Sequence, residues 1–500
     1  MPVARSPFVL AIDLGTSSVR TALFDAEARR LPGTLAQRAH AVTHSDDGAA
    51  ELDPAALQAN LDACLRATLT RAGKREVSGV GVSCFWHSLV GTDGRGRTLT
   101  PVFTWADSRC RDDAEVLRGE VKEKAYHTQT GCMLRASFWP AKLRWLQRTQ
   151  ARIFARVARW QSPSDWLTGL YCDGGADACA DGMATGTGLY NPRTLAWEPD
   201  LAARCGIRLD QLCPLSREPL RVNRATARRF PALAGAQWWS AVGDGAASNL
   251  GSAATRPGRA AINVGTSAAF RVMKSDDRPR APFGLFCYRV DAHRYVVGGA
   301  VSNAGNLRVW CRRELHLPAN DAALDRALAA RPGPVRGLVT LPFWSSERAP
   351  TWREDLGGVI QGLSQNTTAL DLLQATTEAV YHRLALIADL SLAGHDATEI
   401  VVAGGILKST HLLQRLADVL GRPVRPSLEP EASLRGAAVY ALDRSGFGAA
   451  AKEDLRQLTG PAVRPRVKYA RLYARERERQ QALESTLSRA ADDERHREKS

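Results

Sequence analysis

The chain has 500 residues, of which 44% are hydrophobic and 24% charged, the balance of a globular protein with more than one domain. It contains no run of about 18 apolar residues, so no membrane partner is expected. The N-terminus lacks a signal-peptide pattern, and the ten cysteines are scattered without CxxC pairs. These features favour a reduced, cytoplasmic setting and argue against a disulfide scaffold. Catalysis by a cysteine is not expected either, because Cys84 and Cys110 have no obvious paired base.

The formal net charge of +15 raises the question of a nucleic-acid partner. Arginine is spread along the whole chain, and the clearest basic cluster, residues 464–479, is interspersed with glutamates. No helix-turn-helix, zinc or RNA-binding signature accompanies it. We therefore expect a charged tail with a solvated helix face and no specific nucleic-acid surface. Attraction of anionic substrates is a weaker effect that is compatible with this expectation.

The first predicted element is a β-hairpin. Residues 9–14 are apolar apart from Asp13, a Gly-Thr-Ser-Ser turn follows, and residues 19–24 are apolar again, a pattern that distinguishes the segment from a Rossmann or Walker loop. A helix begins at Pro54, with Asp53 as its N-cap. The pattern predicts helices over 54–72, 142–149, 370–392, 409–420 and 432–442, and strands over 77–83, 337–342 and 399–406.

The hairpin recurs halfway along the chain. Residues 261–271 repeat the apolar run and the Gly-Thr-Ser turn of residues 11–21 at a constant offset of 250. Such a duplication predicts two related domains facing each other, residues 1–252 and 253–463, with residues 464–500 as a charged C-terminal tail.

Each turn of the repeat offers hydroxyl and backbone N–H groups that suit phosphate oxygens. One such turn could merely satisfy its own backbone, whereas a duplicated pair favours the two ends of a nucleoside triphosphate. After strand 399–406, a Gly-Gly pair would let adenine and ribose lie against the backbone, unless it is a generic turn. The candidate ATP-binding residues are Thr16, Ser17, Ser18, Arg20, Gly265, Thr266, Gly404, Gly405 and Lys408.

Two carboxylates are candidates for the chemistry. Asp13 precedes the first turn and is interpreted as a Mg²⁺ anchor or as a turn cap. The second repeat has Asn263 at the equivalent position, so the metal-binding role is assigned to the first half. Asp244 lies between two glycines ahead of a helix. It could accept the proton of an attacking hydroxyl during phosphoryl transfer, or simply begin the helix.

A polar and aromatic group in the first half could bind a sugar. His87 follows the strand 77–83, and Trp105, Asp107 and Arg109 lie in a second segment. Planar donors and acceptors suit sugar hydroxyls, and aromatic faces cover the carbon skeleton. The alternatives are a core histidine for His87 and a local salt bridge between Asp107 and Arg109.

Five motifs in order resemble those of the FGGY family of carbohydrate kinases: residues 12–20, 137–146, 261–266, 358–378 and 401–405. The resemblance implies an α/β fold of two actin-like (ribonuclease H-like) domains facing an ATP cleft. It also implies ATP and Mg²⁺ as cofactors, with Asp13 near the metal and Asp244 as catalytic base. The substrate, bound to the first domain near His87 and residues 105–109 and in contact with Asp244, would be a small sugar or sugar acid.

Within the family, segments 85–89, 104–107 and 347–352 resemble those of gluconate-phosphorylating members. This implies phosphorylation of a primary hydroxyl, with gluconate to 6-phosphogluconate as the first candidate. Xylulose or another ketopentose or polyol is the alternative substrate, because Phe85-Trp86 and Ser346 depart from the family pattern where the pocket is expected. An actin-like ATP-binding sensor without catalysis is a further alternative. A homodimer is compatible with the sequence, which does not specify the oligomeric state.

Overall fold

The computed structural model describes residues 6–276, 278–393, 397–448 and 455–499. The N-terminal half forms one large sheet, with its strands in the order 172–173, 220–222, 237–238, 77–84, 8–14, 18–24 and 36–39, and with the strand 242–243 paired to 77–84. The C-terminal half forms another, in the order 286–289, 295–301, 268–274, 259–264, 399–404 and 424–426.

The strands of the N-terminal half are β1 (Phe8–Leu14), β2 (Ser18–Phe24), β3 (Ala36–Ala39), β4 (Thr43–His44), β5 (Ala50–Leu52), β6 (Val77–Cys84), β7 (Val90–Thr92), β8 (Val102–Phe103), β9 (Arg159–Gln161), β10 (Cys172–Asp173), β11 (Tyr190–Asn191), β12 (Ala196–Trp197), β13 (Leu220–Val222), β14 (Gln237–Trp238) and β15 (Val242–Gly243). Its helices are α1 (Pro54–Ala72), α2 (Arg111–Glu120), α3 (Glu123–Thr130), α4 (Trp139–Thr149), α5 (Ala151–Phe154), α6 (Pro163–Tyr171), α7 (Asp181–Ala184), α8 (Pro199–Arg204), α9 (Arg224–Arg229) and α10 (Asp244–Gly251).

The strands of the C-terminal half are β16 (Arg259–Val264), β17 (Ala268–Lys274), β18 (Phe286–Arg289), β19 (Tyr295–Val301), β20 (Val339–Leu341), β21 (Val359–Gln361), β22 (Glu399–Gly404) and β23 (Val424–Pro426). Its helices are α11 (Gly305–Glu314), α12 (Asp321–Ala329), α13 (Ala369–Ser391), α14 (Thr410–Leu420), α15 (Ala432–Arg444), α16 (Leu455–Leu458) and α17 (Val467–Lys499). Among the described helices, none combines the length and the apolar character needed to cross a membrane.

The duplicated hairpin is confirmed. Strand β1 runs antiparallel to β2 and parallel to β6, and β16 runs antiparallel to β17 and parallel to β22. Leu14 is paired with Cys84 and Val264 with Gly404, so each Gly-Thr-Ser turn emerges beside the carboxyl end of a parallel strand. Ligands bind at such strand ends because the backbone groups there are not used by the sheet. The arrangement therefore creates two equivalent edges, one in each half.

Most predicted elements are found within a few residues of their expected bounds. Helix α1 has the expected cap, because Asp53 Oδ1 accepts a hydrogen bond from the Ala55 N–H at 3.0 Å. The helix predicted over 142–149 begins earlier, at Trp139. Pro140 does not prevent this start, since a proline in the first turn leaves no helical hydrogen bond unmade.

The small-residue helix α15 packs in backbone contact with α10 and β6. A Cβ atom on Gly251 would overlap the Ala432 carbonyl, one on Gly436 would overlap the Ala247 carbonyl, and one on Gly81 would overlap the Ala437 carbonyl. Leucine, valine and alanine side chains of α15 belong to the same buried cluster as those of β1 and β6. Helix α15 therefore completes the core of the N-terminal sheet, although it lies far along the chain.

The prediction of a solvated tail is wrong for one face of helix α17. Tyr473, Gln480 and Glu484 are buried, with at most 6% of their surface exposed. Tyr473 Oη donates to Glu378 Oε1 at 2.8 Å, and Gln480 Nε2 donates to the Thr340 carbonyl at 2.8 Å. Because this buried face is mostly polar, hydrophobic periodicity could not reveal it.

Candidate active site

Asp13 and Asp244 are brought together by three neighbouring parallel strands. In the sheet, Ser83 of β6 is paired with Asp13 of β1 on one side and with Val242 of β15 on the other. Asp244 follows β15 directly and is the first residue of α10, where its Oδ1 accepts a hydrogen bond from the Gly245 N–H at 2.7 Å. The sheet register thus aligns the two carboxylates that the sequence singled out.

Asp13 is buried, with 1% of its surface exposed. Its Oδ1 accepts a hydrogen bond from Ser83 Oγ at 2.8 Å, and its Oδ2 lies 2.7 Å from Arg20 Nη2. Burial raises the pKa of Asp13, while the Arg20 charge opposes the rise. Arg20 also donates to Glu431 Oε2 at 2.6 Å. Its guanidinium is therefore held between two carboxylates at the base of the first turn.

The environment of Asp244 suits a general base. Burial raises the pKa of its carboxyl group to about 6; the Arg271 charge opposes this, and the Asp13 carboxylate adds to it. A base with a pKa near the working pH is ionised and still accepts a proton readily.

We therefore expect kcat/KM to rise with pH up to the pKa of Asp244 at about 6 and then level off. Below that pKa it should fall about tenfold per pH unit, because only the ionised carboxylate accepts the proton. Initial rates across pH would show this limb. Replacing Arg271 with methionine removes the charge that lowers the pKa, so the limb should move to higher pH. A limb unaffected by this variant would contradict the assignment of the limb to Asp244.

His87 is held as a neutral hydrogen-bond acceptor. Its Nδ1 lies 2.6 Å from the Gly186 carbonyl and must donate to it, which leaves Nε2 as the acceptor nitrogen. Burial lowers the pKa of His87 to about 3, and the charges of Lys142 and Arg348 add to the effect. His87 can therefore accept a hydrogen bond from a substrate hydroxyl without changing its charge.

Trp86, next to His87, is accommodated by glycines from distant parts of the chain. A Cβ atom on Gly186, Gly243 or Gly245 would collide with its indole ring. Its Nε1 donates to the Gly182 carbonyl at 2.7 Å. The indole therefore packs directly against the backbone that carries Asp244. The sequence shows that Phe85-Trp86 departs from the family pattern, but it does not show which glycines make room for the indole.

Trp105, Asp107 and Arg109 divide into two groups. Asp107 binds Arg109 through Oδ1 to Nε at 3.1 Å and Oδ2 to Nη2 at 2.6 Å, and only 2% of the aspartate surface is exposed. The guanidinium also contacts Glu51 and lies over the Trp145 ring. Asp107 and Arg109 thus form the local salt bridge that the sequence left open as an alternative. Trp105 lies beside the first turn, because its Nε1 donates to Thr16 Oγ1 at 3.2 Å.

The second turn and the Gly-Gly pair lie at one edge of the C-terminal sheet. Gly404, with φ of +94°, is paired with Val264, and a Cβ atom on Gly404 would overlap the Val264 carbonyl. The side that faces away from the sheet is open, since Thr266, Gly404, Gly405 and Lys408 are exposed. In the first turn, Ser17 is exposed and Ser18 is buried, its Oγ accepting from Gln37 Nε2 at 3.2 Å.

Two arginines that sequence reasoning missed face Asp244 and His87 from the C-terminal half. Arg271 lies on β17, and Arg348 lies in the loop after β20 with its guanidinium 5.0 Å from the centre of the Trp105 ring. The buried Nε of each has no hydrogen-bond partner among the described residues. Burial lowers the pKa of Arg271, and it lowers that of Arg348 to about 10. Both groups remain charged at neutral pH and can bind an anion.

Family models for known proteins match nearly the whole of both halves. Residues 8–251 match the N-terminal domain of the FGGY family of carbohydrate kinases, and residues 260–442 match its C-terminal domain. The chain belongs to this family. The expected α/β fold of two actin-like (ribonuclease H-like) domains is confirmed, and this FGGY kinase is an enzyme that transfers phosphate from ATP to a small sugar.

Its relatives differ in substrate. It is 26% identical over 466 residues to a gluconokinase of Bacillus subtilis, covering 88% of each chain. It is 31% identical over 473 residues to a glycerol kinase of Rhizorhabdus wittichii, covering 89% of this chain and 90% of the other. A ligand-bound xylulose kinase from Lactobacillus acidophilus has the same fold, with a TM-score of 0.87 at 22% identity over 96% of this chain and 98% of that one.

Proposed function

We propose that this FGGY kinase phosphorylates a sugar acid at its primary hydroxyl. Gluconate is the first candidate, and its product would be 6-phosphogluconate. The observation that carries the proposal is the pair of cleft arginines, Arg271 and Arg348, each with an unpartnered buried Nε among the described residues. Both side chains are half-buried, and a buried Nε with an unmade hydrogen bond is costly. A substrate carboxylate would supply the guanidinium groups with acceptors and with a counter-charge. A neutral sugar supplies neither charge.

The two arginines have different neighbours, which suggests different partners. Arg271 lies beside the base, because the Asp244 carboxylate is the charge that offsets the loss of solvation of its guanidinium. Arg348 lies over Trp105 and close enough to His87 to lower its pKa. We assign Arg348 to the carboxylate end of the substrate and Arg271 to the end where the hydroxyl reacts.

In the proposed reaction, Asp244 accepts the proton of the primary hydroxyl as its oxygen attacks the γ-phosphorus of ATP in line. The bond from that phosphorus to the β,γ-bridging oxygen breaks, and ADP leaves with the electron pair. Thr16, Ser17, Ser18 and Arg20 would hold one end of the phosphates, and Gly265 and Thr266 the other. Adenosine would lie against Gly404, Gly405 and Lys408. Trp105 would cover the sugar, with Asp107 and Arg109 supporting its segment.

The carboxylates at the cleft fit a Mg²⁺ ion that ATP helps to hold. No group of three or more His, Cys, Asp or Glu residues suited to a metal occurs in the described ranges. Mg²⁺ is commonly bound through one or two carboxylates together with phosphates and waters. The Asp13 carboxylate repels the Asp244 carboxylate and so contributes to the raised pKa of Asp244. A cation bound near both groups would relieve this repulsion. When bound, Mg²⁺ would offset the charge of the phosphates.

The cysteines support a cytoplasmic location. None of the ten is joined in a disulfide, and all are buried. Burial raises the pKa of Cys110 to about 12 and that of Cys84 well above its usual range, so neither thiol near the site is a nucleophile. Free thiols in this number are typical of a reducing compartment.

A panel of gluconate, xylulose and glycerol in an ADP-release assay tests the substrate. Gluconate should give the highest kcat/KM. In the Arg348→Met variant, the KM for gluconate should rise about 30-fold or more, because truncating one partner of a buried charge pair costs about 2–5 kcal/mol. The KM for ATP should stay the same.

The exposed Arg228, replaced by methionine in the same way, is the matched control and should have no effect. Faster turnover of xylulose or glycerol would replace the proposal with the neutral-sugar alternative. ATP binding without phosphorylation of any sugar would favour the sensor. A rise in the KM for ATP, with that for gluconate unchanged, would assign Arg348 to the nucleotide.

A further inference from the structure

The loop that carries Arg348, residues 345–352, is attached to the C-terminal helix through a buried cluster of charges. Arg383 of α13 is completely buried. Its Nε donates to Glu347 Oε1 in the loop at 2.9 Å, and its Nη2 donates to Glu484 Oε1 of α17 at 3.2 Å. One cation therefore joins two carboxylates from separate parts of the chain.

A hydroxyl adds a direct link between the loop and the helix. Thr351 Oγ1 donates to Glu484 Oε1 at 2.6 Å and accepts from Arg383 Nη2 at 3.1 Å. Just beyond the loop, Arg353 reaches the same helix, where its Nη2 donates to the Ser488 carbonyl at 3.3 Å. Helix α17 thus holds one end of the loop at two points.

The loop has an unfavourable backbone that needs such support. Ser346 and Trp352, neither of them glycine, have φ angles of +67° and +54°. Residues in the left-handed region persist where surrounding contacts hold them in place. The other end is held by Asn303, whose Nδ2 donates to the Ser346 carbonyl at 3.3 Å. Arg348 lies between the two anchors, next to Glu347.

We propose that Glu484 is a positioning residue: through Arg383 and Thr351 it fixes the loop 345–352 so that Arg348 faces the substrate. The idea rests on the proposed role of Arg348 in binding the sugar. It makes the C-terminal helix, which lies outside both family domain matches, a determinant of substrate affinity.

Kinetics of Glu484 variants test the proposal. In Glu484→Ala, the KM for the sugar should rise about 5- to 30-fold, a range typical of energetic coupling between sites, with the KM for ATP unchanged. Glu484→Gln keeps hydrogen-bonding groups toward Thr351 and Arg383, so it should recover much of the affinity. Thr351→Val removes the link from the loop side and should also raise the sugar KM. Glu478 is exposed on the same helix, and Glu478→Ala should behave as wild type.

A double mutant separates the two proposals. If Glu484 acts through Arg348, the effect of Glu484→Ala should largely disappear in an Arg348→Met background, because the two changes remove the same interaction. Additive effects would overturn the positioning role. So would a lower thermal stability with an unchanged sugar KM in Thr351→Val, the variant that decides the matter if the alanine variant does not fold. An unchanged sugar KM in Arg348→Met alone would reject the role of Arg348, whatever Glu484 does.

Discussion

Replacing Asp244 with asparagine is expected to lower kcat by about 10²–10⁴-fold, the usual contribution of a general base. Asparagine has nearly the same shape but cannot accept the proton of the attacking hydroxyl. Its amide oxygen can still accept the hydrogen bond from the Gly245 N–H, so α10 should be preserved. The measurement is single-turnover phosphorylation of the best substrate, together with ATP binding, which should change little.

The control for this variant is Asp200→Asn. Asp200 is an exposed carboxylate in the first turn of another helix, α8, so the substitution removes the same charge away from the cleft. It should leave kcat unchanged. If Asp244→Asn kept full turnover, Asp244 would not be the base, and the raised pKa of its carboxyl group would need another explanation.

Replacing Gly436 with alanine is expected to lower the free energy of unfolding by about 1–3 kcal/mol or more, the range for overpacked cores. The new methyl group would overlap the Ala247 carbonyl, which is backbone and cannot turn away. Helix α10 would have to shift, and Asp244 is its first residue, so kcat should fall as well. Urea unfolding and turnover of the same protein measure both effects.

Gly119→Ala is the control, and it should have the opposite sign. Gly119 also lies in a helix, but a Cβ atom there would meet nothing within 4 Å. Alanine at such a site stabilises a helix by up to about 1 kcal/mol. Unchanged stability in Gly436→Ala would mean that α10 and α15 are not in backbone contact.

Much of the fold follows from local sequence patterns. The hairpin around Asp13, its copy at 261–272 and the long helix α13 are visible because hydrophobic periodicity and turn residues are local signals. The register that aligns Asp13 with Ser83 and Asp244 is not local. It depends on pairing between strands far apart in the chain, and no periodicity within one strand specifies it.

The site contacts that the sequence could not show share one physical reason, because they join segments that lie far apart in the chain. Arg271 occupies an ordinary position in a strand, and only the packing of β17 near α10 brings it close to Asp244. Trp86 fits only because three glycines from two other segments leave room for it. In the sequence of the charged tail, nothing distinguishes Glu484 from the other glutamates. Its burial beside Arg383 is a property of the assembled fold.

The place of α15 in the first core has a consequence for how the protein is made. Arg20 donates a hydrogen bond to Glu431, which lies 411 residues further along the chain. Arg435 donates one to the carbonyl of Ala28, which lies 407 residues before it. During synthesis, the face of β1 and β6 that α15 covers has no partner until the ribosome has made most of the protein. Until then, the nascent N-terminal half exposes the apolar surface that α15 later covers. Chains with such exposed surface tend to aggregate unless chaperones bind them.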